Sequence, residues 1–319
     1  MQPSGNLTRD NHYVQQALTR RWSDDGNNVY AYRTLVSHPS VNEWQVKSIK
    51  GLGEQRDLYT VFQGGRESDE FEHWIQKQFE DAGIAATEKV ISGTRLTPAD
   101  WHAALRYVAA QDLRTPLTFI EAVQRWGQEL APAHLTKFLK EAVEEILVLR
   151  VEGALPAPSP LSDAYAGSIK VKIDRPKDPV VGLAAVQLSV KIGRRLWIQN
   201  MRQLLIDNAA VICEQRWSIV EPYGDEEWPL TDQPVVRLNY YKPGNYDFGG
   251  GWGNKNSEII MPISPRHLLY VKLGSKLPNR FAASLDITRH LQRFLVERAY
   301  RHVFASNLLP WVKEVRPVR

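Results

Sequence analysis

The stretch "SEIIMPISPRHLLYVKLG", residues 257–274, contains two short apolar runs separated by Pro265. Each run is rich in aliphatic residues and is bounded by Ser, Pro or Gly, which is typical of short β-strands. The runs "RWSIVEP" at 216–222 and "QPVVRLNYY" at 233–241 repeat this pattern. Together they predict antiparallel strands in the C-terminal part of the chain.

A helix is predicted after these strands, over residues 284–306. Leu291 and Leu295 fall on one face of that helix, and Arg289 and Arg293 fall on the opposite face. A basic helix face either lies along phosphate groups or is solvated without a ligand. We predict Arg289 and Arg293 to be binding residues.

The middle of the chain, residues 67–150, has the spacing of apolar residues that is typical of helices. Thr97 is placed to cap a helix that begins at Pro98, with Asp100 in its first turn. A further helix is predicted over residues 181–214. This part of the chain predicts a helical layer.

The N-terminal stretch "NHYVQQALTRRW", residues 11–22, has apolar residues at every fourth position and begins with a good helix cap, Asn11. It predicts a short amphipathic helix. Residues 29–36 and 57–62 are rich in β-branched and aromatic residues, and they predict two strands.

The predicted fold class is therefore α+β. A helical middle layer is flanked by an N-terminal β-hairpin and by C-terminal antiparallel strands, and the chain closes with a C-terminal helix. We expect residues 1–319 to form a single domain. The proline-rich stretch at about 153–168 predicts a flexible connection within it.

Composition limits the class of protein. The 319 residues carry a formal net charge of +4, which is compatible with a nucleic-acid or nucleotide partner but does not require one. No run of eighteen apolar residues and no secretory signal is visible, so we expect a cytoplasmic protein with no membrane partner. The single cysteine, Cys213, excludes an internal disulfide. Nothing in the composition identifies a protein partner.

Polar side chains at two helix ends are candidates for ligand contacts. Asn11, His12 and Gln16 lie near the start of the predicted first helix, where an anion would be favoured. Gln111 and Arg114 lie at the end of another helix, next to a proline break. The Arg114 guanidinium either binds a carboxylate or phosphate group or forms an internal ion pair.

Three carboxylates are candidates for a metal site. Glu72 and Glu80 are eight residues apart, about 12 Å along a helix, which is too far for both to bind one ion. One of them could join His12 or Asp232 from another element. Asp232 precedes Gln233-Pro234, where a turn role would also account for it.

Several of these stretches resemble one known family. "NHYVQQ" is similar to the Asn-His-Tyr-Val-Pro-Gln type motif that opens members of the domain of unknown function 4238 family. The helix glutamates, the "QDLRTP" stretch at 111–116, "TDQP" at 231–234 and "PISP" at 262–265 also resemble its motifs. Two departures are Gln15 for Pro and Thr231 for Ser. The resemblance implies that the polar motifs meet at one site, but it implies no particular activity.

Two functions are compatible with these residues. In the first, the protein is an intracellular metal-dependent nuclease or phosphodiester-cleaving effector that uses Mg²⁺ or Mn²⁺. Glu72 or Asp232 would hold the ion, His12 would act as general acid or base, and Arg114 would neutralise the phosphate.

In the second, the protein is a non-catalytic module that binds a nucleotide, a nucleic acid or a protein. Asn11, His12, Gln111 and Arg114 would then contact a nucleotide or a partner's carboxylate.

Overall fold

The computed structural model describes residues 10–35, 40–56, 59, 61–63, 66–118, 120–122, 169–174, 185–190 and 194–316. The chain divides into two compact units. The larger comprises Met1–Thr60, Ser68–Thr118 and Met201–Arg319, and the smaller comprises Val61–Glu67 and Phe119–Asn200. Every candidate site residue belongs to the larger unit. The predicted proline-rich connection at 153–168 lies outside the described residues, and the single domain stays a prediction.

The helices are labelled in chain order. They are α1 Gln16–Thr19, α2 Glu70–Ile75, α3 Asp81–Ile91, α4 Pro98–Leu113, α5 Arg194–Cys213, α6 Leu285–Arg298 and α7 Val312–Val315. Short 3₁₀ turns occur at Arg20–Trp22 and Ile49–Gly51, and a π-helical segment, Gln76–Glu80, joins α2 to α3. None of the helices within the described ranges has the length and apolar character needed to span a membrane.

The strands are numbered in the same way. The first eight are β1 Asp10–His12, β2 Asn28–Arg33, β3 Trp44–Ser48, β4 Glu54–Arg56, β5 Val61–Gln63, β6 Arg66–Ser68, β7 Ile169–Asp174 and β8 Ala185–Val190. The next eight are β9 Ser218–Glu221, β10 Leu230–Thr231, β11 Val236–Lys242, β12 Asn245–Asp247, β13 Ser257–Ser264, β14 His267–Lys272, β15 Arg280–Ala282 and β16 His302–Ala305.

Two sheets organise the larger unit. The six-stranded sheet has the order β12-β11-β13-β14-β9-β15, and the four-stranded sheet has the order β10-β16-β2-β3. Neighbouring strands are antiparallel, except that β15 runs parallel to β9. The predicted α+β class is confirmed. The N-terminal hairpin is formed by β2 and β3, so its second strand is Trp44–Ser48 rather than the strand predicted at 57–62; residues 61 and 62 belong to β5, which pairs with β6.

Helix α6 packs its apolar face against both sheets. Leu291, Phe294 and Leu295 are buried in one core cluster with residues of the six-stranded sheet. Val296, which directly follows Leu295, belongs to a second cluster with Tyr32 of β2. The helix begins where the Ser284 hydroxyl accepts a hydrogen bond from the Ile287 amide at 3.3 Å. The amphipathic sequence of α6 therefore supplies core to each sheet.

Helix α4 begins as predicted, at Pro98. The Thr97 hydroxyl accepts from the Asp100 amide at 3.2 Å, and the Asp100 carboxylate accepts from the Thr97 amide at 2.9 Å. This reciprocal capping box satisfies backbone donors that the first turn leaves unpaired. The helix then approaches α3 closely, because Gly83 presents no side chain to Tyr107.

The predicted helix at residues 11–22 is wrong in its boundaries. Asp10–His12 forms strand β1, which pairs antiparallel with β4. The Asn11 side chain accepts a hydrogen bond from the Tyr59 amide at 3.2 Å, so it serves the tertiary structure rather than a helix cap. Helix α1 starts only at Gln16 and has a single turn. The apolar residues at every fourth position are nevertheless buried: Val14, Leu18 and Trp22.

Two further helix boundaries are corrected. Residues 185–190 lie within the predicted helix 181–214 but form β8, which pairs with β7 in the smaller unit. In their sequence, AVQLSV, residues 186–190 alternate apolar and polar side chains, which suits a strand. The predicted helix 284–306 ends at Arg298, and residues 302–305 form β16. That strand is buried between β2 and β10, where its backbone groups find partners.

In a test of the helix packing, Gly83→Ala should lower the Tm by a few degrees. The new Cβ would lie 2.3 Å from the Tyr107 Cβ, and overpacking of this kind costs about 1–3 kcal/mol. Helix propensity alone would favour Ala by about 1 kcal/mol. Thermal melts should compare it with Gly253→Ala, whose new Cβ would meet nothing within 4 Å. Equal stability of the two variants would contradict the close packing of α3 and α4.

Candidate functional site

The N-terminal motif lies on β1, where successive side chains point to opposite faces. Asn11 is buried and bound to the Tyr59 amide. The His12 Nε2 atom lies 3.2 Å from the Lys50 carbonyl oxygen and 3.0 Å from the Gln16 amide nitrogen. His12 and Gln16 are thus in contact, whereas Asn11 belongs to the opposite face of the strand.

The surroundings of His12 limit its chemistry. Its Nε2 atom either donates to the Lys50 carbonyl or accepts from Gln16, depending on the tautomer. The Glu54 carboxylate is 3.7 Å from the same nitrogen. These contacts occupy the Nε2 atom of His12.

Arg114 follows the last residue of α4, and its side chain is almost fully buried, with 1% exposed. Its Nη2 atom donates to Glu72 Oε1 at 3.1 Å, and Nη1 forms an ion pair with Glu80. The Tyr59 ring lies 5.5 Å from the guanidinium carbon, and the Tyr59 hydroxyl donates to the Arg114 carbonyl at 2.7 Å. The internal ion pair that the sequence allowed for Arg114 is therefore present, with two carboxylates.

The π-helical segment brings Glu80 to this position. In a regular α-helix, a residue eight positions after Glu72 would be turned about 80° away from it. The wider π turn, Gln76–Glu80, rotates less per residue and returns Glu80 towards the face of Glu72. The two carboxylates that looked too distant to share one ion consequently share one guanidinium.

Several atoms of this cluster lack hydrogen-bond partners. They are Glu72 Oε2, Arg114 Nε and both amide atoms of Gln111, all of them buried and without a partner among the described residues. Gln111 lies one turn before Arg114 on α4, so both residues project from the same side of the helix. Buried polar atoms without a partner are uncommon in folded proteins, so water or a ligand is the natural partner for these atoms.

A second polar network connects the end of α4 to the "TDQP" turn. The Thr115 hydroxyl donates to Gln233 Oε1 at 2.5 Å, and the Thr118 hydroxyl donates to the Asp112 carbonyl at 2.8 Å. The Thr231 hydroxyl donates to the Gln233 carbonyl at 2.7 Å. Two of the stretches that resemble family motifs therefore meet through direct hydrogen bonds.

Asp232 caps the backbone that leads into β16. Its carboxylate accepts from the amides of Tyr300 and Arg301 at 2.8 and 2.7 Å. Burial raises the pKa of Asp232 to about 6, although the backbone hydrogen bonds act in the opposite direction. Burial, and secondarily the Asp232 carboxylate, also raises the pKa of Tyr13. The turn role predicted for Asp232 is wrong in its partner: the carboxylate binds backbone amides of a distant segment, and Thr231 makes the side-chain hydrogen bond within the turn.

The positions of these carboxylates show which of them could bind a metal ion together. Across the described parts of the chain, no group of three or more His, Cys, Asp or Glu side chains is placed to hold a metal ion. Glu72 faces Arg114, and Asp232 faces two backbone amides. The carboxylate that accompanies Glu72 is Glu80 rather than Asp232.

A cavity of about 330 Å³ lies between the six-stranded sheet and the first half of α6. Its walls are Tyr240, Pro243, Glu258, Tyr270, Leu277, Phe281, Asp286, Ile287, His290, Leu291 and Phe294. Only Glu258, Asp286 and His290 among these carry a carboxyl or an imidazole group. We call this cavity the aromatic compartment.

A second, more open cavity of about 540 Å³ adjoins the first at His290. Its walls are Gly244, Tyr246, Phe248, Arg289, His290, Arg293 and Glu297. We call it the arginine compartment, and the two compartments together the α6 groove. The Tyr246 and Phe294 rings, one from each compartment, are 4.6 Å apart.

Both predicted arginines of α6 line this second compartment. Arg289 Nη2 donates to Glu226 Oε1 at 2.5 Å, and Arg293 Nε donates to Glu297 Oε1 at 2.7 Å. The side chains remain 48% and 57% exposed, respectively. The Tyr246 hydroxyl also donates to Glu297, at 2.6 Å. The guanidinium groups are therefore oriented by carboxylates but still accessible to an anion.

Sequence reasoning missed several members of these networks. Tyr59, which contacts both Asn11 and Arg114, lies in a stretch interpreted only as a strand. Gln233 was taken only as part of a turn. The aromatic wall of the α6 groove comes from four different strands, so no local spacing could identify it. The alternation of apolar and polar residues within each strand was the one signal of this wall in the sequence.

A family model described as "Protein of unknown function (DUF4238)" matches residues 10–308. The chain belongs to this family. The match covers both the DUF4238-like motifs in the buried cluster and the residues of the α6 groove. No curated protein and no solved structure matches the chain, so membership of DUF4238 brings no activity with it.

In this DUF4238 protein, Arg114→Met should lower the free energy of unfolding by about 3–5 kcal/mol, because Glu72 and Glu80 lose their counter-charge. Adding Glu72→Gln and Glu80→Gln should recover most of that loss, since no unpaired charge then remains. Urea denaturation measures both effects. Arg106→Met is the control: Arg106 stacks on Phe79, 4.5 Å from the ring centre, and its loss should cost about 1 kcal/mol or less. Equal effects of the two Met substitutions would contradict the buried ion pair.

Asp232 should give this DUF4238 protein a pH-dependent stability. Its folded pKa of about 6 lies above the ordinary value of 3.8, so its contribution is fully present below about pH 4 and is lost as the pH rises through 6. Between about pH 4 and pH 7, wild type should lose about 2 kcal/mol relative to Asp232→Asn. Denaturation at several pH values tests this, with the exposed Asp207→Asn as control. A pH-independent difference would disprove it.

Proposed function

We propose that this protein is a non-catalytic nucleotide-binding module whose site is the α6 groove. The observation that carries the proposal is the junction, at His290, of an aromatic compartment with an open compartment that contains Arg289 and Arg293. A nucleotide has the same two parts, a flat aromatic base and an anionic phosphate.

The aromatic compartment suits the base. Its volume of about 330 Å³ is at the lower end of the range for ligand pockets, which is about 300–1,000 Å³. Tyr240, Tyr270 and Phe281 offer ring faces on which any base can stack, and such stacking contributes about 1–3 kcal/mol per base. The few ionisable groups in the walls can fix the orientation of the base.

The arginine compartment suits the phosphate. A guanidinium group binds phosphate through two parallel hydrogen bonds, and Arg289 and Arg293 are one helical turn apart. Their present partners, Glu226 and Glu297, form partly exposed ion pairs, which contribute only about 0–1 kcal/mol each. An incoming phosphate therefore has little to displace.

The buried motif cluster supports binding rather than cleavage of a polymer. Arg114 is buried, so a nucleic-acid phosphate would have to open the fold to reach it. His12 lies on the opposite face of β1 from Asn11 and engages Lys50 and Gln16 instead. In this proposal, the cluster holds the framework around which the groove is built.

A metal-dependent nuclease is the second candidate, and one observation favours it. Glu72 and Glu80 converge beside Arg114, and Glu72 Oε2 has no hydrogen-bond partner among the described residues. Mg²⁺ is often held by only one or two carboxylates together with substrate phosphates, so a third protein ligand is not required. In this form of the proposal, Mg²⁺ or Mn²⁺ would bind Glu72 and Glu80.

Isothermal titration calorimetry with nucleoside monophosphates and their nucleosides tests the first proposal. Arg293→Ala should weaken monophosphate binding about tenfold or more, because a hydrogen bond to a charged group contributes about 1.5–3 kcal/mol. Nucleoside binding should be unchanged. Arg20→Ala, at an exposed arginine outside both compartments, is the control and should leave both affinities unchanged.

Two outcomes would reject this proposal. One is the absence of binding by every monophosphate, and the other is an equal effect of Arg293→Ala and Arg20→Ala. Incubation with single- and double-stranded nucleic acids, with Mg²⁺, Mn²⁺ or chelator, tests the second candidate. Metal-dependent cleavage that Glu72→Gln abolishes would replace the binding module by the nuclease.

A further inference from the structure

One wall residue of the aromatic compartment, Glu258, is paired with a basic side chain that lies beside it. Glu258 and Lys272 are opposite each other on β13 and β14, and Lys272 Nζ donates to Glu258 Oε1 at 2.8 Å. Glu258 is only 6% exposed, which is unusual for a carboxylate on a sheet that faces a core helix. A hydrogen-bond acceptor in the wall of an apolar cavity and a donor next to it are thus held side by side.

Aromatic rings flank this pair. Lys272 Nζ lies 5.9 Å from the centre of the Tyr240 ring. Burial and the neighbouring Glu258 carboxylate raise the pKa of Tyr270, which keeps its hydroxyl protonated. Tyr240, Glu258 and Tyr270 all line the cavity. A flat ligand between these rings would therefore present its edge to Glu258, and the Lys272 ammonium group would lie beside that carboxylate.

We infer that the α6 groove selects guanine nucleotides through Glu258 and Lys272, an inference that rests on the proposed nucleotide-binding function. Guanine has adjacent N1–H and N2–H donors, which a carboxylate can accept with its two oxygens, and its neighbouring O6 accepts from an ammonium group. The Glu258–Lys272 pair offers the complementary groups: a carboxylate that accepts from the two N–H groups and an ammonium group that donates to O6.

Other bases match the pair less well. Adenine and cytosine each have one amino donor next to a ring acceptor, so they leave one carboxylate oxygen unused. Hypoxanthine retains N1–H and O6 but lacks the N2 amino group. Sites that are built to bond a particular group discriminate strongly against analogues without it, because their buried polar atoms then stay unpaired.

The test is calorimetric titration of the full chain with GMP, IMP and AMP. GMP should bind about tenfold or more tightly than AMP, with IMP between them. Glu258→Gln keeps the shape of the side chain but places an amide donor against the guanine donors. It should remove most of the preference for GMP while leaving AMP binding nearly unchanged.

A second variant, Lys272→Met, tests the inference independently in case Glu258→Gln does not fold. Lys272→Met should weaken GMP binding by removing the donor to O6, and it also leaves the buried Glu258 carboxylate without its counter-charge, so its stability is measured alongside. Thermal melts confirm that each variant is folded.

If AMP binds as tightly as GMP, or if neither variant changes the ratio of the two affinities, the inference is overturned. If Arg293→Ala still weakens both nucleotides in that case, the nucleotide-binding proposal stands. If no nucleotide binds at all, the proposed function itself fails.

Discussion

A guanidinium group that is buried in a protein cannot lose its proton, so it needs negative charge beside it. Arg114 satisfies this need with two carboxylates, Glu72 and Glu80, and with the ring of Tyr59. The position of Glu80 depends on a π turn inside a helix, and Tyr59 in turn binds Asn11 of the first strand. One buried charge thus links the N-terminal strand, the helix that contains the glutamates and the end of α4.

Patterns that depend on neighbouring residues could be predicted from the sequence. The run at 257–274 forms two strands as expected, and Thr97 caps its helix, because alternation and capping are local effects. The π turn could not be predicted, since no residue type specifies it and a distant arginine stabilises it. Asn11 has the chemistry of a helix cap, but its carboxamide oxygen instead accepts a hydrogen bond from the Tyr59 backbone amide, which belongs to another segment.

The candidate site was predicted only in parts for the same reason. The sequence indicated Arg289 and Arg293 by helical spacing, and both line the arginine compartment. Glu258 and Lys272 were invisible as a pair, because they become neighbours only through strand pairing. Contacts across a sheet follow the register of strands, and the register is set by the whole core rather than by either strand alone.

Helix α6 joins the core and the groove. Its inward face is locked by Leu291 and Leu295, while its outer face presents Arg289 and Arg293. A binding site on such an element is held in place by the same packing that stabilises the fold. The arrangement favours a preformed site, in which little ordering is needed when a ligand enters.

Strand β16, residues 302–305, pairs with β10 on one side and with β2 on the other. Strand β2 is made early in the chain, but this partner strand is made late. During synthesis, β2 leaves the ribosome long before that neighbour exists. At typical elongation rates, the delay between them is on the order of tens of seconds. One edge of β2 stays open over that time, and the four-stranded sheet can close only after residue 305 has been made. The chain therefore assembles this sheet late, from its two most distant parts.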